Sequence, residues 1–282
     1  MSSSVDYIDR STKLIELALN EDIQHGDITT LAIIDEDQLC KGKLVSKESG
    51  IIAGLALFEY VFELLDKKGL VFASNFNDGD AVSKGDVIAE FSGKMRTILS
   101  GERTALNFLQ RMSGVATETR KYVTLLQDTN TELLDTRKTI PGFRYIDKYA
   151  VVTGGGKNHR IGLFDMVMLK ENHIKAAGSI QKAVSMIKQK YGSEYKIEIE
   201  TQDLTEVVEA IDAKVDIIML DNMSLEEMKA AVKISGSNAK VEASGNITKA
   251  NIRSIAETGV DYISVGVITH SIRALDISLL II

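Results

Sequence analysis

Cysteine is almost missing from the chain: Cys40 stands alone. No intramolecular disulfide can form, which fits a reducing compartment and points to the cytoplasm. No motif around Cys40 marks it as a nucleophile. Long apolar runs are missing too. No stretch reaches the ~18 uninterrupted apolar residues of a membrane span. The terminal "LDISLLII" is far too short for one and reads as a docking strand. The opening "MSSSVDYIDR" lacks the apolar centre of a secretory leader. Positive charge is in deficit, with 33 Lys and Arg against 40 Asp and Glu, a net charge of −7. Such a chain has no general attraction for nucleic acid or for an anionic membrane surface. What is left is a globular composition, 282 residues with 44% hydrophobic, enough for a large core.

Against that deficit one segment is basic. "DTRKTIPGFRYIDKYAVVTGGGKNHR", Asp135 to Arg160, holds Arg137, Lys138, Arg144, Lys148, Lys157, His159 and Arg160. It also contains Pro141, the only proline, and three consecutive glycines. The glycines suggest a P-loop, but Lys157 is followed by Asn158 rather than Ser or Thr, and the leading glycine is absent. They suit a backbone that passes close to a site, or a loop that orders on binding. Pro141 is expected to set the turn into the following helix, since proline suits a helix's first positions. His159 and His173 match no compact metal-ligand spacing.

The first hundred residues mix short helices and strands. "KLIELALNED" has helical apolar spacing, and "GKLVSKESGIIAGL" reads as strand, turn, strand. "FNDGDAVSKGDVIAEFSG" reads as a hairpin with Asp-Gly and Lys-Gly turns. A long helix follows, from about Thr97 to Leu126, and a boundary inside it divides domains at 1–112 and 113–282. The C-terminal segment is expected to return to the first domain.

The second half is repetitive. "KIEIE" ends at Glu200, "DIIML" precedes Asp221, "KVEAS" ends at Ser244, and "YISVG" ends at Gly266. The spacings are 21, 23 and 22 residues. Each run is short, apolar and rich in β-branched residues, as a buried parallel strand should be. Amphipathic stretches lie between them, with Thr205, Ser224 and Thr248 as caps or first-turn residues. "TELLDT" and "FDMVML" extend the series toward Arg137 and Lys170. This is a βα repeat with right-handed crossovers, a closed or nearly closed α/β barrel or else an open doubly wound sheet. In a barrel the polar residues at these strand ends, Arg137, Lys138, Lys170, Glu200, Asp221, Ser244 and Gly266, meet at one mouth.

That mouth has two electrical halves. Arg137, Lys138, His159, Arg160 and Lys170 exceed what one singly charged ligand needs, so a ligand with several anionic groups is implied. Glu200 and Asp221 would repel such a ligand unless they hold a divalent cation, bind sugar hydroxyls or face developing positive charge. Otherwise they only neutralise the cations beside them. "EASGN" and "SVGVITHS" can turn backbone N–H groups of Ser244, Gly245, Asn246, Val265, Gly266 and Val267 toward a phosphate, with His270 as a further donor.

In order, "DTRKT", "GGGKNHR", "MLKENH", "EIE", "MLDN", "EASGNI" and "SVGVITHS" resemble the quinolinate phosphoribosyltransferase family. "ALNEDIQHGDITT" and "GERTALNFLQRMSGVAT" match it as well, so the resemblance spans nearly the whole chain. It implies an α/β fold of type II phosphoribosyltransferases, an N-terminal α/β domain on an open, incomplete α/β barrel. It implies a homodimer with shared sites, Arg103 of "GERTALN" reaching into the partner's site. Thr136, Arg137, Lys138, His159, Arg160 and Lys170 match the family's substrate pocket. Lys138, Lys170, Glu200 and Asp221 take the catalytic roles, with Glu200 and Asp221 also near the ribose and its Mg2+. Ser244 to Asn246, Val265 to Val267 and His270 match the phosphate end. The chain departs from the pattern at Asn246, where the family often has a second glycine. The implied substrates are quinolinate and phosphoribosyl pyrophosphate. Rivals are a molybdenum-associated paralogue, transfer to another pyridine or purine base, or a non-catalytic phosphometabolite-binding barrel.

Overall fold

The computed structural model describes residues 4–67 and 70–282. They form two compact units. The first comprises Met1–Arg120, Thr139–Gly155 and Val267–Ile282; the second comprises Lys121–Lys138 and Gly156–Gly266. The expected boundary at 112/113 lies inside one helix, and residues 139–155 and 267–282 group with the first unit.

The chain begins with α1 (Ser4–Ile23), α2 (Ile28–Ile33), β1 (Leu39–Ser46), β2 (Gly50–Ile51) and α3 (Leu55–Leu65). β3 (Val71–Ser74), β4 (Ala81–Val82), β5 (Val87–Lys94) and the long α4 (Met95–Leu125) follow. α4 carries the chain into β6 (Glu132–Leu134), after which α5 (Arg144–Thr153) belongs again to the first unit. Then come β7 (Val167–Leu169), α6 (Glu171–Ala177), α7 (Ile180–Tyr191), β8 (Ile197–Thr201), α8 (Leu204–Asp212) and β9 (Ile217–Asp221). α9 (Leu225–Ser235), β10 (Lys240–Ser244), α10 (Ile252–Ala256), β11 (Tyr262–Ser264), α11 (Val267–His270) and β12 (Ile277–Ile281) complete it.

In the first unit an antiparallel sheet runs β12-β1-β5-β3. The apolar C-terminus is thus a strand, paired with β1. Phe58 and Phe62 of α3, Leu44 of β1, Ile88 of β5 and Ile98, Leu109 and Met112 of α4 are fully buried and form the core. The expected hairpin is not formed. Asp78-Gly79 and Lys84-Gly85 do turn the chain, both glycines having positive φ. Yet β4 pairs with β2, because both edges of β5 are already taken by β1 and β3. Pro141 sets the turn into α5, as expected, though it stands before the helix rather than in its first positions: it precedes Gly142 (φ +85°) in a turn closed by the Phe143 amide on the Ile140 carbonyl at 3.0 Å. Proline at the second and glycine at the third position suit a type II turn, and α5 starts only afterwards.

In the second unit six parallel strands run β6-β11-β10-β9-β8-β7. This is chain order around a ring, broken between β6 and β7. A doubly wound sheet would need a reversal of order, so the second unit is an open, incomplete barrel. At the break, the Lys157 amide donates to the Leu133 carbonyl (2.8 Å) and the Asp135 amide to the Lys157 carbonyl (3.1 Å). The segment after the triple glycine therefore lies along the free edge of β6. Gly155 (φ +97°) supplies the left-handed residue that lets the chain leave α5 for that edge. Side-chain caps start α8 and α9: Ser224 forms a capping box with Glu227, and Asp203 caps α8 with Thr205 in its first turn.

Strand alternation decides what faces inward. Ile197, Ile199, Ile218, Leu220, Val241, Ala243 and Ile263 are buried on the side toward the helices. Their neighbours point the other way. Register pairs Met168 with Glu198, Glu200 with Met219, Met219 with Glu242, and Asp221 with Ser244. The inner wall is therefore lined by polar residues at alternate positions of strands that otherwise look apolar.

Candidate active site

A cavity of about 390 Å³ opens at the C-terminal ends of the second unit's strands. Thr136, Arg137, Lys138, His159, Arg160, Lys170, Glu200, Asp221 and Ser244, all expected from the sequence, line it together. Met168, Met219 and Ser264 line it too and were not anticipated. They lie within strands rather than after them. Their signal was spacing: each sits two residues before a strand-end position or at the end of a short strand.

Each side chain is placed by its strand. Lys170 follows β7 directly and pairs with Glu200 of β8. Asp221 ends β9, two residues beyond Met219, the register partner of Glu200. Glu200 and Asp221 therefore share one face on adjacent strands. Thr136 Oγ1 accepts the Lys138 amide (3.0 Å), which turns the Arg137–Lys138 pair at the end of β6.

Arg160 is half-buried beside the cavity. Its guanidinium donates weakly to the Met166 carbonyl (3.3 Å) and to Met168 Sδ (3.5 Å). Burial, and then the neighbouring Arg137 cation, push Arg160 below its ordinary pKa. The two arginines repel one another, and an anion bound between them would relieve that repulsion.

His159 is fixed on three sides. Its amide donates to buried Asp135 Oδ1 (2.8 Å), and its Nδ1 accepts the Arg160 amide (2.7 Å). Its Nε2 faces Glu198 Oε2 at 2.9 Å and Glu242 Oε2 at 3.6 Å. Both glutamates are fully buried beneath the cavity floor. Burial and the charge of Glu198 push the Glu242 carboxyl up to about 8, against the pull of His159 and the nearby Ser264 hydroxyl. The glutamates were missed because they precede the conspicuous Glu200 and Ser244; their i, i+2 spacing from those residues was the available signal.

The glycine-rich turn after β10 is a tight assembly. Gly245 (φ +95°) packs on Asn222, where an added Cβ would stand 2.2 Å from Asn222 Oδ1. Asn246 Nδ2 donates to that same oxygen (2.9 Å), and Asn251 Nδ2 donates to the Asn246 carbonyl (3.1 Å). Asn246 has φ +50°, a left-handed conformation that asparagine tolerates best after glycine. That explains how it stands where the family pattern often has glycine. Gly245 and Asn246 line a separate cavity of about 260 Å³ with Asn222, Met223, Ser224 and Met228.

The remaining expected residues are distributed differently. The Val265 amide donates to the Leu134 carbonyl (3.0 Å), so the expectation that it faces a phosphate is not met. Gly266 follows β11. Arg103, Val267 and His270 belong to the first unit. Arg103 lines a cavity of about 430 Å³ with Leu14, Asn107, Arg111 and Phe143. His270 Nδ1 lies 2.6 Å from Ser271 Oγ.

Two arrangements in the second unit could hold a metal. Glu200 and Asp221 bring two carboxylates to the cavity, hard oxygen donors of the kind that suit a divalent cation. His159, Glu198 and Glu242 bring three ligand atoms within 4.8 Å of one another. Among the described residues no helix is long and apolar enough to cross a membrane.

Comparison with known proteins adds a second line. The family model described as quinolinate phosphoribosyl transferase, C-terminal domain, matches residues 115–280, and the N-terminal domain model matches residues 27–113. A probable nicotinate-nucleotide pyrophosphorylase [carboxylating] of Bacillus subtilis is 45% identical over 267 residues, covering 95% of this chain and 92% of the relative. The chloroplastic nicotinate-nucleotide pyrophosphorylase [carboxylating] of Arabidopsis thaliana is 43% identical, covering 94% of this chain and 81% of the relative. Among solved structures, NadC from Streptococcus pyogenes superposes with a TM-score of 0.94 at 41% identity, covering 100% of this chain and 99% of that one.

Proposed function

The chain belongs to the quinolinate phosphoribosyl transferase family, and from that premise we propose how its cavity works. The enzyme is a pentosyltransferase. It transfers the phosphoribosyl group of phosphoribosyl pyrophosphate to the ring nitrogen of quinolinate and releases pyrophosphate. The adduct loses CO2 to give nicotinate mononucleotide, a step of NAD biosynthesis.

The observation that carries this reading is that Arg137, Lys138, Arg160 and Lys170 line one cavity with the carboxylates of Glu200 and Asp221. Arg137 and Arg160 take the two carboxylates of the diacid, each by parallel charge-assisted bonds. Lys138 adds charge at the rim. As the bond from ribose to pyrophosphate breaks, positive charge grows at the anomeric carbon. Glu200 and Asp221 stabilise it, and Lys170 keeps Glu200 oriented. The pyridine nitrogen then attacks that carbon; when the C–CO2 bond breaks, its electron pair stays on the ring carbon, stabilised by the adjacent cationic nitrogen, and a proton from solvent takes the place of the departed CO2. No protein nucleophile is needed. Glu200 and Asp221 are the residues that would hold magnesium, which when bound would neutralise the leaving pyrophosphate.

The phosphate end of the donor is assigned to Ser244, Gly245, Asn246, Gly266, Val267 and His270. The enzyme acts as a homodimer in the cytoplasm, with Arg103 completing the partner subunit's site. The deciding assay measures pyrophosphate release with quinolinate and with nicotinate side by side. Release with quinolinate, and CO2 in equal amount, is expected. Turnover of nicotinate alone would mean another base, and no release with either would mean a binding module.

A further inference from the structure

Beneath the cavity floor lies a cluster that substrate contact does not explain. Glu198 and Glu242, on strands separated by β9, are both fully buried, and their oxygens lack a well-formed hydrogen-bond partner among the described residues. The interior of an α/β barrel is normally filled with branched aliphatic side chains. Burying two carboxylates there is costly and is weak evidence for stability. Apart from the Ser264 hydroxyl near Glu242, what both face is one imidazole: His159 Nε2 stands 2.9 Å from Glu198 and 3.6 Å from Glu242.

The other ring nitrogen settles the protonation. His159 Nδ1 accepts the backbone N–H of Arg160 at 2.7 Å, so it carries no proton. The proton of the neutral ring is then on Nε2, the nitrogen that stands closest to the two glutamates, though off the line of a well-formed hydrogen bond. The same bond argues against a metal at this cluster. A ligating Nε2 would be bare, with its proton on Nδ1 and donated outward, the reverse of what is found.

We propose that Glu198 and Glu242 are positioning residues for the transfer reaction. They lock His159 as its Nε2–H tautomer, and His159, through Nδ1, fixes the backbone of Arg160 and so aims the guanidinium at the diacid. Asp135 holds the same segment from the other side, through the His159 amide. The negative charge under the floor also keeps the cationic wall in place before substrate arrives. This rests on the reading of quinolinate as the substrate.

The test uses Glu198→Gln and Glu242→Gln, each nearly isosteric, with steady-state kinetics, calorimetry and thermal melting on the full chain. The expected signature is divided. Quinolinate KM and Kd rise at least fivefold, KM for phosphoribosyl pyrophosphate stays within twofold, and melting temperature holds or rises because a costly buried carboxyl is gone. A merely structural role would lower melting temperature and disturb both substrates alike. Quinolinate affinity within twofold of the parent in both variants overturns the proposal. A measurement on the parent protein needs no variant to fold: 15N shifts of His159, assigned by their loss in His159→Asn, should show the Nε2–H tautomer. A protonated Nδ1, or a stoichiometric transition metal removed by chelation, would also sink it. If the parent enzyme does not turn over quinolinate, the substrate reading fails, while the tautomer result still stands or falls by itself.

Discussion

Arg160→Ala separates binding from folding most sharply. In the folded chain the guanidinium makes two weak contacts, to the Met166 carbonyl at 3.3 Å and Met168 Sδ at 3.5 Å. Removing them costs about 1 kcal/mol at most, and the relief of repulsion from Arg137 offsets part of that. The expected fall in melting temperature is about 2–4 °C or less for a domain of this size. Binding has far more to lose. A bidentate arginine–carboxylate contact at a partly buried site contributes about 3 kcal/mol, which corresponds to roughly 150-fold in Kd. Calorimetry of quinolinate binding, with a melt on the same sample, reads both quantities. A Kd within threefold of the parent would refute the assignment of Arg160 to the diacid. A large drop in melting temperature with unchanged affinity would make Arg160 a folding residue instead.

Three further outcomes are expected. Mixing inactive Arg103→Ala protein with inactive Lys170→Ala protein should restore part of the activity through heterodimers; no recovery despite verified subunit exchange counts against a shared site. Glu242 binds its proton up to about pH 8 when folded, whereas an unfolded glutamate releases it near pH ~4.3. The folded state therefore holds the extra proton between those values, and stability must fall as pH rises through that window. Glu242→Gln should flatten this part of the melting profile, and an unchanged slope would contradict the assignment. Gly245→Ala puts a Cβ 2.2 Å from Asn222 Oδ1 at a positive φ, so it should destabilise by about 1–3 kcal/mol and raise KM for phosphoribosyl pyrophosphate; a neutral variant would show that the turn yields easily.

The strands of the second unit were legible because a parallel strand covered by helices needs β-branched apolar residues, and "IEIE", "IIML" and "VEAS" supply them. The positions of Lys170, Glu200, Asp221 and Ser244 followed from where those runs end. What was not legible is the inward face. Glu198 and Glu242 look like ordinary strand polarity until register places them side by side with a histidine from a distant loop. The hairpin expectation failed for a related reason. Local turns at Gly79 and Gly85 are written in the sequence, but the occupancy of both edges of β5 depends on strands far away in the chain. Asn246 shows a local rule tolerating an exception, since its left-handed backbone is held by Asn222 and Asn251.

The break between β6 and β7 carries one more consequence. His159 and Arg160 ride on the segment that lies along the free edge of β6, held there by the Lys157 backbone and by Asp135. The proposed diacid site thereby hangs on the joint at the open seam of the ring rather than on its six strands. Local opening of that joint should empty the cationic wall while the parallel ladder stays intact. Amide hydrogens of Lys157 and His159 should accordingly exchange faster than those of Ile199 or Leu220, and slow when a dicarboxylate is bound. On the proposed reading the gap of the open barrel would act as a latch, lifting less often when the ligand is bound.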